Sequence, residues 1–425
     1  ISSTSSVITK ANSNRYGVDA FAFGNSNYGF RNIVTSLSGE LNSNFSSSVQ
    51  NKLLVTYTHI RDSRTTKGDA FPMVDIYKDG KQYMTLGTEL FTPFNDVENN
   101  VFSVTDNVTI NKGNHLITAG ATFERQYFMN SYLRAPYGYY RYASMDDFMT
   151  GEKPMLYGIT YGYNGKDAPG AELTFGMLGA YAQDEYSITP NLKLTYGLRF
   201  DLPLYFDDLL GNAAIKEQSF NGTNVDVSEW PKSKLLISPR LGFNCTGLFT
   251  GLLPFVWFTN QPTNAGQMQN MVEFETSELP ANFAFNPNYK ETLTQNPDMF
   301  PSTPGNEVPG AIAYVDPNFK MPQVWRSNVN AEFQLPYGFM LSVGAMYTRD
   351  IYNVVQKNMN EKAPSGTYNE QPGRVYWTKN NYYDNPKTKT VIQLTNGDEK
   401  GYQYSFNAVL TKKFDFGFTG SFGYT

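Results

Sequence analysis

Apolar and polar residues alternate along much of this chain, most regularly in residues 192–201. The apolar and polar sets there are Leu192, Leu194, Tyr196, Leu198 and Phe200 against Lys193, Thr195, Gly197, Arg199 and Asp201. Successive side chains of a strand point to opposite faces, so this spacing predicts a β-strand with one apolar and one polar face. The pattern recurs, with Asp106 as an interruption, in residues 53–58, 102–110, 117–123, 328–335, 339–348, 402–411 and 414–424. We expect about 11 strands, the first near residues 30–45.

The connections between the predicted strands alternate between short and long. The short turns are residues 46–50, 111–114, 189–191, 336–338 and 412–415, and the long connections are residues 63–98, 128–176, 205–233, 250–322 and 356–398. Loops in compact soluble domains have a median length of about 4–6 residues. Strands of about 9–12 residues with short turns at one end and long loops at the other are typical of outer-membrane barrels. The sequence therefore predicts an all-β protein, a transmembrane antiparallel β-barrel with short periplasmic turns and long extracellular loops.

A soluble β-sandwich or propeller is the main alternative, because its strands alternate as well. Such folds place turn signals every 8–12 residues or so at both ends of the strands. They have no reason to make the connections short at one end and long at the other. Tyr and Phe at the predicted strand ends also fit the aromatic girdles of membrane barrels. We therefore expect a multi-pass protein of the cell outer membrane, with outer-membrane lipid around it.

The composition supports this interpretation. Of the 425 residues, 15% are aromatic and only 17% are charged, whereas about 25% charged is usual in soluble proteins. No run approaches the roughly 18 apolar residues of a transmembrane helix. The net charge is -5 and the basic residues are scattered, so we expect no nucleic-acid partner. Cys245 is the only cysteine, which excludes an intrachain disulfide and a cysteine-based zinc site.

The two ends of the sequence predict an incomplete domain. No secretory signal pattern opens the chain, and its last residues fall inside an alternating stretch. A barrel cannot leave a strand edge unpaired in lipid. We therefore expect residues 1–425 to be an incomplete transmembrane barrel domain, an inner section of a larger barrel.

Catalytic residue types are scarce, and we predict that the protein is not an enzyme. His59, followed by Asp62, and His115 are the only histidines, and no G-x-S-x-G motif is present. No cluster has metal-ligand spacing, so we expect neither a metal site nor a cofactor. The acidic pairs 184–185 and 207–208 predict solvated charges, with a loop Ca²⁺ site as the alternative.

The long connections are rich in aromatic residues, which predict a binding surface. Flat rings with a polar tip suit stacking on sugars or gripping peptides. The candidate ligand contacts are Tyr139, Tyr140, Arg141, Tyr142 and Trp257. The alternative is that these rings only pack one loop against another, since large loops need small cores of their own.

Residues 181–201, YAQDEYSITPNLKLTYGLRFD, resemble a hairpin of TonB-dependent outer-membrane receptors. Further segments resemble the Oar-type branch of that family, which is common in Bacteroidota, and they occur in the family's order. These segments are residues 51–57, 237–244, 246–251, 254–257 and 316–326. The resemblance covers most of the chain.

The resemblance implies a barrel of about 22 strands that holds a plug in its lumen. It also implies that an unidentified ligand binds at the outer face and that periplasmic TonB supplies the force for import through the plug. The plug, the TonB box and the N-terminal carboxypeptidase-regulatory-like domain are absent from this sequence. Residues 243–247 join two family segments that are normally separated, so we expect a missing segment near residues 245–246.

Two other functions remain open. A structural barrel could recruit partners, such as a surface lipoprotein or other subunits of a surface or secretion complex. A passive porin would need an open lumen and a charged constriction, and no predicted strand carries a row of Arg or Lys opposite acids. A plug and TonB box in the full-length gene product would favour the transporter, and co-purifying subunits would favour the structural barrel.

Overall fold

The computed structural model describes residues 2–11, 21–189, 192–242, 246–250, 256–371, 373–378 and 381–425. The described strands are β1 (Ser2–Ala11), β2 (Phe21–Ala22), β3 (Tyr28–Asn44), β4 (Val49–Thr66), β5 (Met73–Lys78), β6 (Lys81–Leu86), β7 (Asp96–Lys112), β8 (His115–Ser131), β9 (Tyr139–Tyr142), β10 (Leu156–Gly162), β11 (Gly170–Thr189), β12 (Leu192–Tyr205), β13 (Ser219–Phe220), β14 (Thr223–Asn224), β15 (Leu236–Gly242), β16 (Thr246–Thr250), β17 (Gln269–Glu275), β18 (Ala311–Val315), β19 (Gln323–Leu335), β20 (Phe339–Tyr352), β21 (Val355–Asn358), β22 (Gly366–Thr367), β23 (Val375–Tyr376), β24 (Thr390–Thr395), β25 (Tyr402–Lys413) and β26 (Thr419–Tyr424). The described helices are α1 (Met145–Thr150), α2 (Ala213–Lys216), α3 (Val256–Thr263) and α4 (Tyr289–Gln295), with 3₁₀ turns at Gly24–Ser26 and Pro336–Gly338. Within these ranges, no helix is both long and apolar enough to cross a membrane.

One antiparallel sheet, which we call the wall, contains thirteen of the described strands. Their order is β1-β3-β4-β7-β8-β11-β12-β15-β16-β19-β20-β25-β26, so each strand lies beside the next wall strand along the chain. The wall begins earlier than predicted, because β1 already pairs with β3. The predicted strand length was also too short, since β11 has 20 residues. A strand needs only about 9–11 residues to cross a bilayer, so the long wall strands extend beyond it.

The two faces of the wall agree with the predicted alternation. On β12, Leu198 and Phe200 are exposed on one face, opposite Ala182 and Ala180 of β11. On the other face, the Arg199 guanidinium lies 2.7 Å from the buried Asp201 carboxylate. The apolar face is therefore the exposed one, which fits a wall surrounded by lipid instead of water.

Two glycines on the polar face, Gly120 of β8 and Gly179 of β11, make room for long side chains of the hairpin that resembles a family motif. The Tyr181 hydroxyl donates a hydrogen bond to Asn107, and its ring lies across Gly120, where an added Cβ would come within 2.7 Å of it. The Arg199 side chain similarly lies across Gly179, where a Cβ would come within 2.6 Å of the guanidinium. A glycine is needed at each position because the neighbouring strand lays a long side chain flat over it.

Short and long connections alternate along the wall as predicted. The short ones join, for example, β7 to β8 at residues 113–114 and β19 to β20 at residues 336–338. The long ones lie at the opposite end, at residues 67–95, 132–169, 206–235, 251–322 and 353–401, close to the predicted bounds. The last short turn lies later than predicted, because β25 continues through Lys413 and the turn covers residues 414–418, where Phe414 N–H donates to the Phe418 carbonyl.

The long connections fold together into what we call the outer layer, after the extracellular side predicted for them. Their strands form a six-stranded sheet in the order β17-β10-β9-β5-β6-β2, which we call the outer sheet. They also form a three-stranded sheet in the order β18-β24-β21 and two hairpins, β13-β14 and β22-β23. The long connections therefore carry secondary structure of their own.

Most of the buried apolar side chains that the structure describes belong to the outer layer. Two clusters lie within or against the outer sheet, and a third surrounds the three-stranded sheet. A fourth joins the layer to the wall, where Phe128 and Phe175 of the wall meet Phe258 of α3 and Phe319. The wall itself needs no apolar core on its outer side, because its apolar side chains face lipid.

The predicted missing segment near residues 245–246 stays a prediction. Cys245 lies outside the described residues, and so do Pro190 and Asn191 of the predicted 189–191 turn. On either side of residues 243–245, β15 and β16 pair as neighbours, with Leu241 opposite Thr246.

Candidate functional site

The outer sheet is built from four separate connections. β2 comes from the segment before β3, β5 and β6 from residues 67–95, β9 and β10 from residues 132–169, and β17 from residues 251–322. In register, Tyr140 of β9 lies opposite Tyr157 of β10, and Ile159 of β10 lies opposite Val272 of β17. Strand pairing between distant connections holds them in one rigid surface above the wall.

One face of the outer sheet is a cluster of buried rings. The Tyr140 ring centroid lies 4.7 Å from that of Tyr157, and the Tyr157 centroid lies 5.0 Å from that of Phe283. Tyr142 is also fully buried there and packs its ring on Phe148 of α1. Two of the predicted ligand contacts, Tyr140 and Tyr142, therefore lie inside the layer. Their burial favours the packing interpretation, and ligand contact by them stays a prediction.

The opposite face of the outer sheet carries a buried carboxylate. The Tyr139 hydroxyl donates to the Asp75 Oδ2 atom at 2.7 Å, and the Thr85 hydroxyl donates to Oδ1 at 2.5 Å. The Gln82 amide donates to the same Oδ1 atom at 3.0 Å. Asp75, Thr85 and Tyr139 are all buried. A buried carboxylate is tolerated only when donors surround it, and this one is surrounded.

Arg141 is held on top of this network. Its Nε donates to the Tyr139 hydroxyl at 3.3 Å, and its guanidinium carbon lies 5.3 Å from the Tyr77 ring centroid and 5.7 Å from that of Tyr139. The side chain is half-buried. Two rings and one hydrogen bond fix the guanidinium, while the remaining N–H groups can donate to a ligand. Among residues 139–142, Arg141 is thus the one best placed for recognition.

Burial raises the pKa of several tyrosines of the outer sheet above the ordinary value of 10. Burial and the nearby Asp75 carboxylate raise the pKa of Tyr139, so its hydroxyl stays a donor. Burial also raises the pKa of Tyr142. Burial raises the pKa of Tyr161, on β10, to about 12. These hydroxyls serve as hydrogen-bond donors or packed groups, since charging them would require desolvating a phenolate.

Trp257, the remaining candidate, lies on α3 at the joint between the outer layer and the wall. Its neighbour Phe258 is fully buried, with its ring centroid 4.9 Å from that of Phe175 on β11. Trp257 itself is 37% exposed. Gln261 anchors the same helix, because its amide donates to the Val227 carbonyl at 2.8 Å and accepts from Val315 N–H at 2.9 Å. Trp257 and residues 139–142 thus share one layer but belong to different parts of it, the joint and the outer sheet.

The other sequence candidates occupy the wall or its ends. His59 Nδ1 lies 2.6 Å from the Asn100 side chain, while Asp62 accepts from Asn32, so His59 and Asp62 do not pair. His115 lies 2.7 Å from Asp184, whose carboxylate also accepts from Tyr196. No group of His, Cys, Asp or Glu able to hold a metal ion is found within the ranges that the structure describes.

Three of the four residues in the acidic pairs have partners, while Asp208 is exposed as expected for a solvated charge. Asp184 and Glu185 each have a partner, His115 for the first and Lys193 for the second. Asp207 accepts a hydrogen bond from the Thr174 N–H and thereby joins the 206–235 connection to β11. The three partnered acids therefore stabilise contacts between neighbouring segments, within the wall and at its outer end.

The family described as "Outer membrane beta barrel domain" matches residues 5–425. The chain belongs to this family. It is therefore an outer-membrane protein, and the exposed apolar face of the wall faces lipid. No curated protein matches the sequence.

Three solved structures are similar to this chain at low sequence identity. The outer membrane transporter YddB from Escherichia coli is 12% identical over 96% of this chain and 42% of its own, with a TM-score of 0.54. The ferric-catecholate import receptor Fiu from E. coli K12 is 11% identical over 98% of this chain and 50% of its own, with a TM-score of 0.40. The hemophore receptor HasR from Serratia marcescens is 11% identical over 91% of this chain and 47% of its own, at 0.38. The similarity to YddB is one of fold, and this chain spans half or less of the length of each of the three.

Sequence reasoning missed the residues that organise the outer layer. Asp75 is the centre of the polar network, and Phe283 and Phe300 close the ring cluster. In the stretch MVDIYK at residues 73–78, the β-branched Val74 and Ile76 flank Asp75 and could have indicated a strand. No local pattern marks Phe283 or Phe300, because their partners lie in another connection.

Proposed function

We propose that this chain is the barrel portion of a TonB-dependent importer of the outer membrane, acting on an unidentified ligand. The observation that carries the proposal is the outer layer, in which long connections from one end of the wall fold into a shared sheet. A preformed surface loses little entropy when it binds a ligand. The fold similarity to the transporter YddB supports the same function.

Several finer points belong to this proposal. The ligand binds at the outer layer, with Arg141 as a donor and Trp257 as an exposed ring. Periplasmic TonB supplies the force through the plug that the family resemblance implies. The resemblance of residues 181–201 and of the later segments supports membership of the Oar-type branch, in a bacterium of the Bacteroidota.

We also propose that the protein is not an enzyme. Its two histidines lie in the wall, and each has a structural partner, Asn100 for His59 and Asp184 for His115. A general base needs a reacting group within hydrogen-bond reach, and these wall positions offer none.

A structural or partner-recruiting barrel is the second candidate function. The observation that favours it is the β22-β23 hairpin, whose side chains Tyr368, Val375 and Tyr376 are exposed. Exposed apolar side chains on a hairpin suit a protein partner, such as a surface lipoprotein or another subunit.

Depletion of compounds from the growth medium tests the proposal even though the ligand is unidentified. Cells with the intact gene and matched deletion cells are grown in the same medium, with and without an uncoupler of the proton gradient. Mass spectrometry then measures which compounds disappear. An importer should deplete at least one compound only when both the protein and the gradient are present.

Each other outcome contradicts the importer. Depletion that survives the uncoupler would indicate a passive pore. No depletion, together with stable co-purifying subunits, would indicate the structural barrel. Arg141→Gln sharpens the test, and Arg374→Gln in the β22-β23 hairpin is its matched control. Arg374 also lies over a ring, 5.5 Å from the Tyr368 centroid, but outside the outer sheet.

A further inference from the structure

A cavity of about 450 Å³ opens on the wall near the ends of β19, β20 and β25. Trp325, Tyr347 and Ile351 supply its apolar lining, and Arg349 and Lys400 supply two positive charges. Asp350 also lines it, although its place next to Arg349 on β20 directs its side chain to the opposite face of the wall. Neither the proposed import function nor the predicted ligand contacts involve this cavity.

The strand register places the cavity on the lipid face of the wall. Trp325 of β19 lies opposite Arg349 of β20, which in turn lies opposite Tyr402 of β25. Paired residues of an antiparallel sheet share a face. The same face carries Phe333 and Phe406, both exposed. Arg349 therefore shares its face with side chains that lie against lipid.

The position of Arg349 along β20 places it at the outer membrane surface. β20 begins at Phe339, next to the short turn, and Arg349 follows ten positions later. At about 3.4 Å per residue and a strand tilt near 45°, ten residues span roughly 24 Å across the membrane. That is about the height of the apolar band of a barrel. Phe339 thus lies at the periplasmic interface and Arg349 at the extracellular one.

Arg349 has no internal partner that would explain its charge there. No hydrogen bond or ion pair to its guanidinium occurs within the part of the chain that the structure describes, and its side chain is exposed. The Lys400 ammonium donates to the Gly397 carbonyl at 2.7 Å, which leaves further N–H groups available. The lining on the lipid face thus holds two positive charges.

We propose that this cavity binds the phosphate of a lipid in the outer leaflet. Arg349 donates through its planar fork, Lys400 adds a point charge, and Trp325 and Tyr347 pack against the acyl or sugar part near the headgroup. An anionic headgroup matches the net positive lining, and a lipid is the molecule that reaches this depth on this face. The proposal is independent of whether the barrel imports or recruits partners.

Lipid retention measured by native mass spectrometry tests the site. The full-length protein is reconstituted into nanodiscs of phosphatidylcholine that contain either lipid A or lipid A stripped of its phosphates. It is then released into detergent, and the lipid that stays bound is counted. The double variant Arg349→Gln with Lys400→Gln is compared with Lys412→Gln, which lies on the same face at the periplasmic end, 4.7 Å from the Phe339 ring centroid.

We expect the wild type and Lys412→Gln to retain lipid A and the double variant to retain less of it, by roughly 10-fold or more, because two basic contacts to the headgroup are removed. Arg349→Lys should retain most of it, because the charge remains. Equal retention in all variants, or equal retention of the stripped lipid, would overturn the proposal. So would displacement of lipid A by millimolar inorganic phosphate, since the site would then serve a soluble anion. Should the double variant fail to fold, the two lipids compared on the wild type decide the question.

Discussion

The wall and the outer layer place their apolar side chains on opposite sides, because the wall is surrounded by lipid and the outer layer by water. In the wall, large apolar side chains such as Phe333 and Phe406 are exposed, and polar groups such as Asp201 are buried. In the outer layer the order is reversed, with rings such as Tyr157 and Phe283 inside. Lipid accepts the apolar face of the wall, whereas the outer layer meets water and must bury its own apolar surface. Apolar residues alone therefore do not indicate which way a side chain points.

The two regions also differ in which residues pair. Wall strands pair mainly with the next wall strand along the chain, so their contacts follow the sequence. Outer-layer strands pair across connections, as β17 does with β10 over more than a hundred residues. The first kind of contact follows the order of the strands along the chain, even across long connections, whereas the second depends on the whole fold.

The largest expected effect is on the core of the outer layer. Phe283→Ala removes a nearly buried ring that packs on Tyr157, and a change of this kind costs about 3–5 kcal/mol. We expect proteases to cleave the outer layer much faster, while the mobility difference between boiled and unboiled samples on gels persists. Tyr376→Ala, at an exposed hairpin ring, is the control. Loss of the gel shift in Phe283→Ala would show that the two regions do not fold separately.

The next largest effect is expected from a charge placed on the lipid face of the wall. Leu198→Arg places a charge on the lipid face near the middle of β12 and should cost about 2–4 kcal/mol in refolding into bilayers. Gln183→Arg, on the polar face at a similar depth, should cost much less. Leu194 and Thr195 form an equivalent pair closer to the short turn, where the difference should shrink. Equal costs for Leu198→Arg and Gln183→Arg would mean that this strand has no lipid face.

Alkaline pH should loosen the outer layer before the wall. Burial raises the pKa of Tyr161 from 10 to about 12, so its contribution to stability is complete below pH 10 and is lost as the pH rises toward 12. The expected loss is of the order of 2 kcal/mol. Tyrosinate absorbance and the rate of protease cleavage should rise together in this pH window. In the Tyr161→Phe variant, the rate of protease cleavage should rise less steeply with pH. Cleavage that rises equally steeply in the variant would rule out this tyrosine as the cause.

The smallest effect on stability is expected at Trp257. Because this ring is 37% exposed, Trp257→Ala should change the stability of the layer by less than about 1 kcal/mol. Tyr140→Ala should instead disrupt the ring cluster. Loss of compound depletion in Trp257→Ala with normal protease resistance would support ligand contact. Unchanged depletion would assign Trp257 a packing role only.

Part of the candidate site can be anticipated from sequence and part cannot. The aromatic run at residues 139–142 stands out in the sequence, yet a run of four residues in a strand sends Tyr139 and Arg141 to one face and Tyr140 and Tyr142 to the other. Nothing in the local sequence marks this segment as a strand. Only pairing with β5 and β10 fixes it, and it divides the candidates into a polar network and a buried cluster.

The wall can be predicted from local sequence. The two-residue period, the face that each side chain takes and the lengths of the connections can all be read along the chain. Residues 192–201 display them without any partner. The outer layer cannot, because Asp75, Tyr157 and Phe283 come from three connections and acquire their environment only when those connections pair. The environment of Arg349 cannot be predicted from local sequence either, because nothing next to it in the chain distinguishes it from the other residues of an alternating strand. Its register with Trp325 and Tyr402 in the folded wall places its charge at the membrane surface.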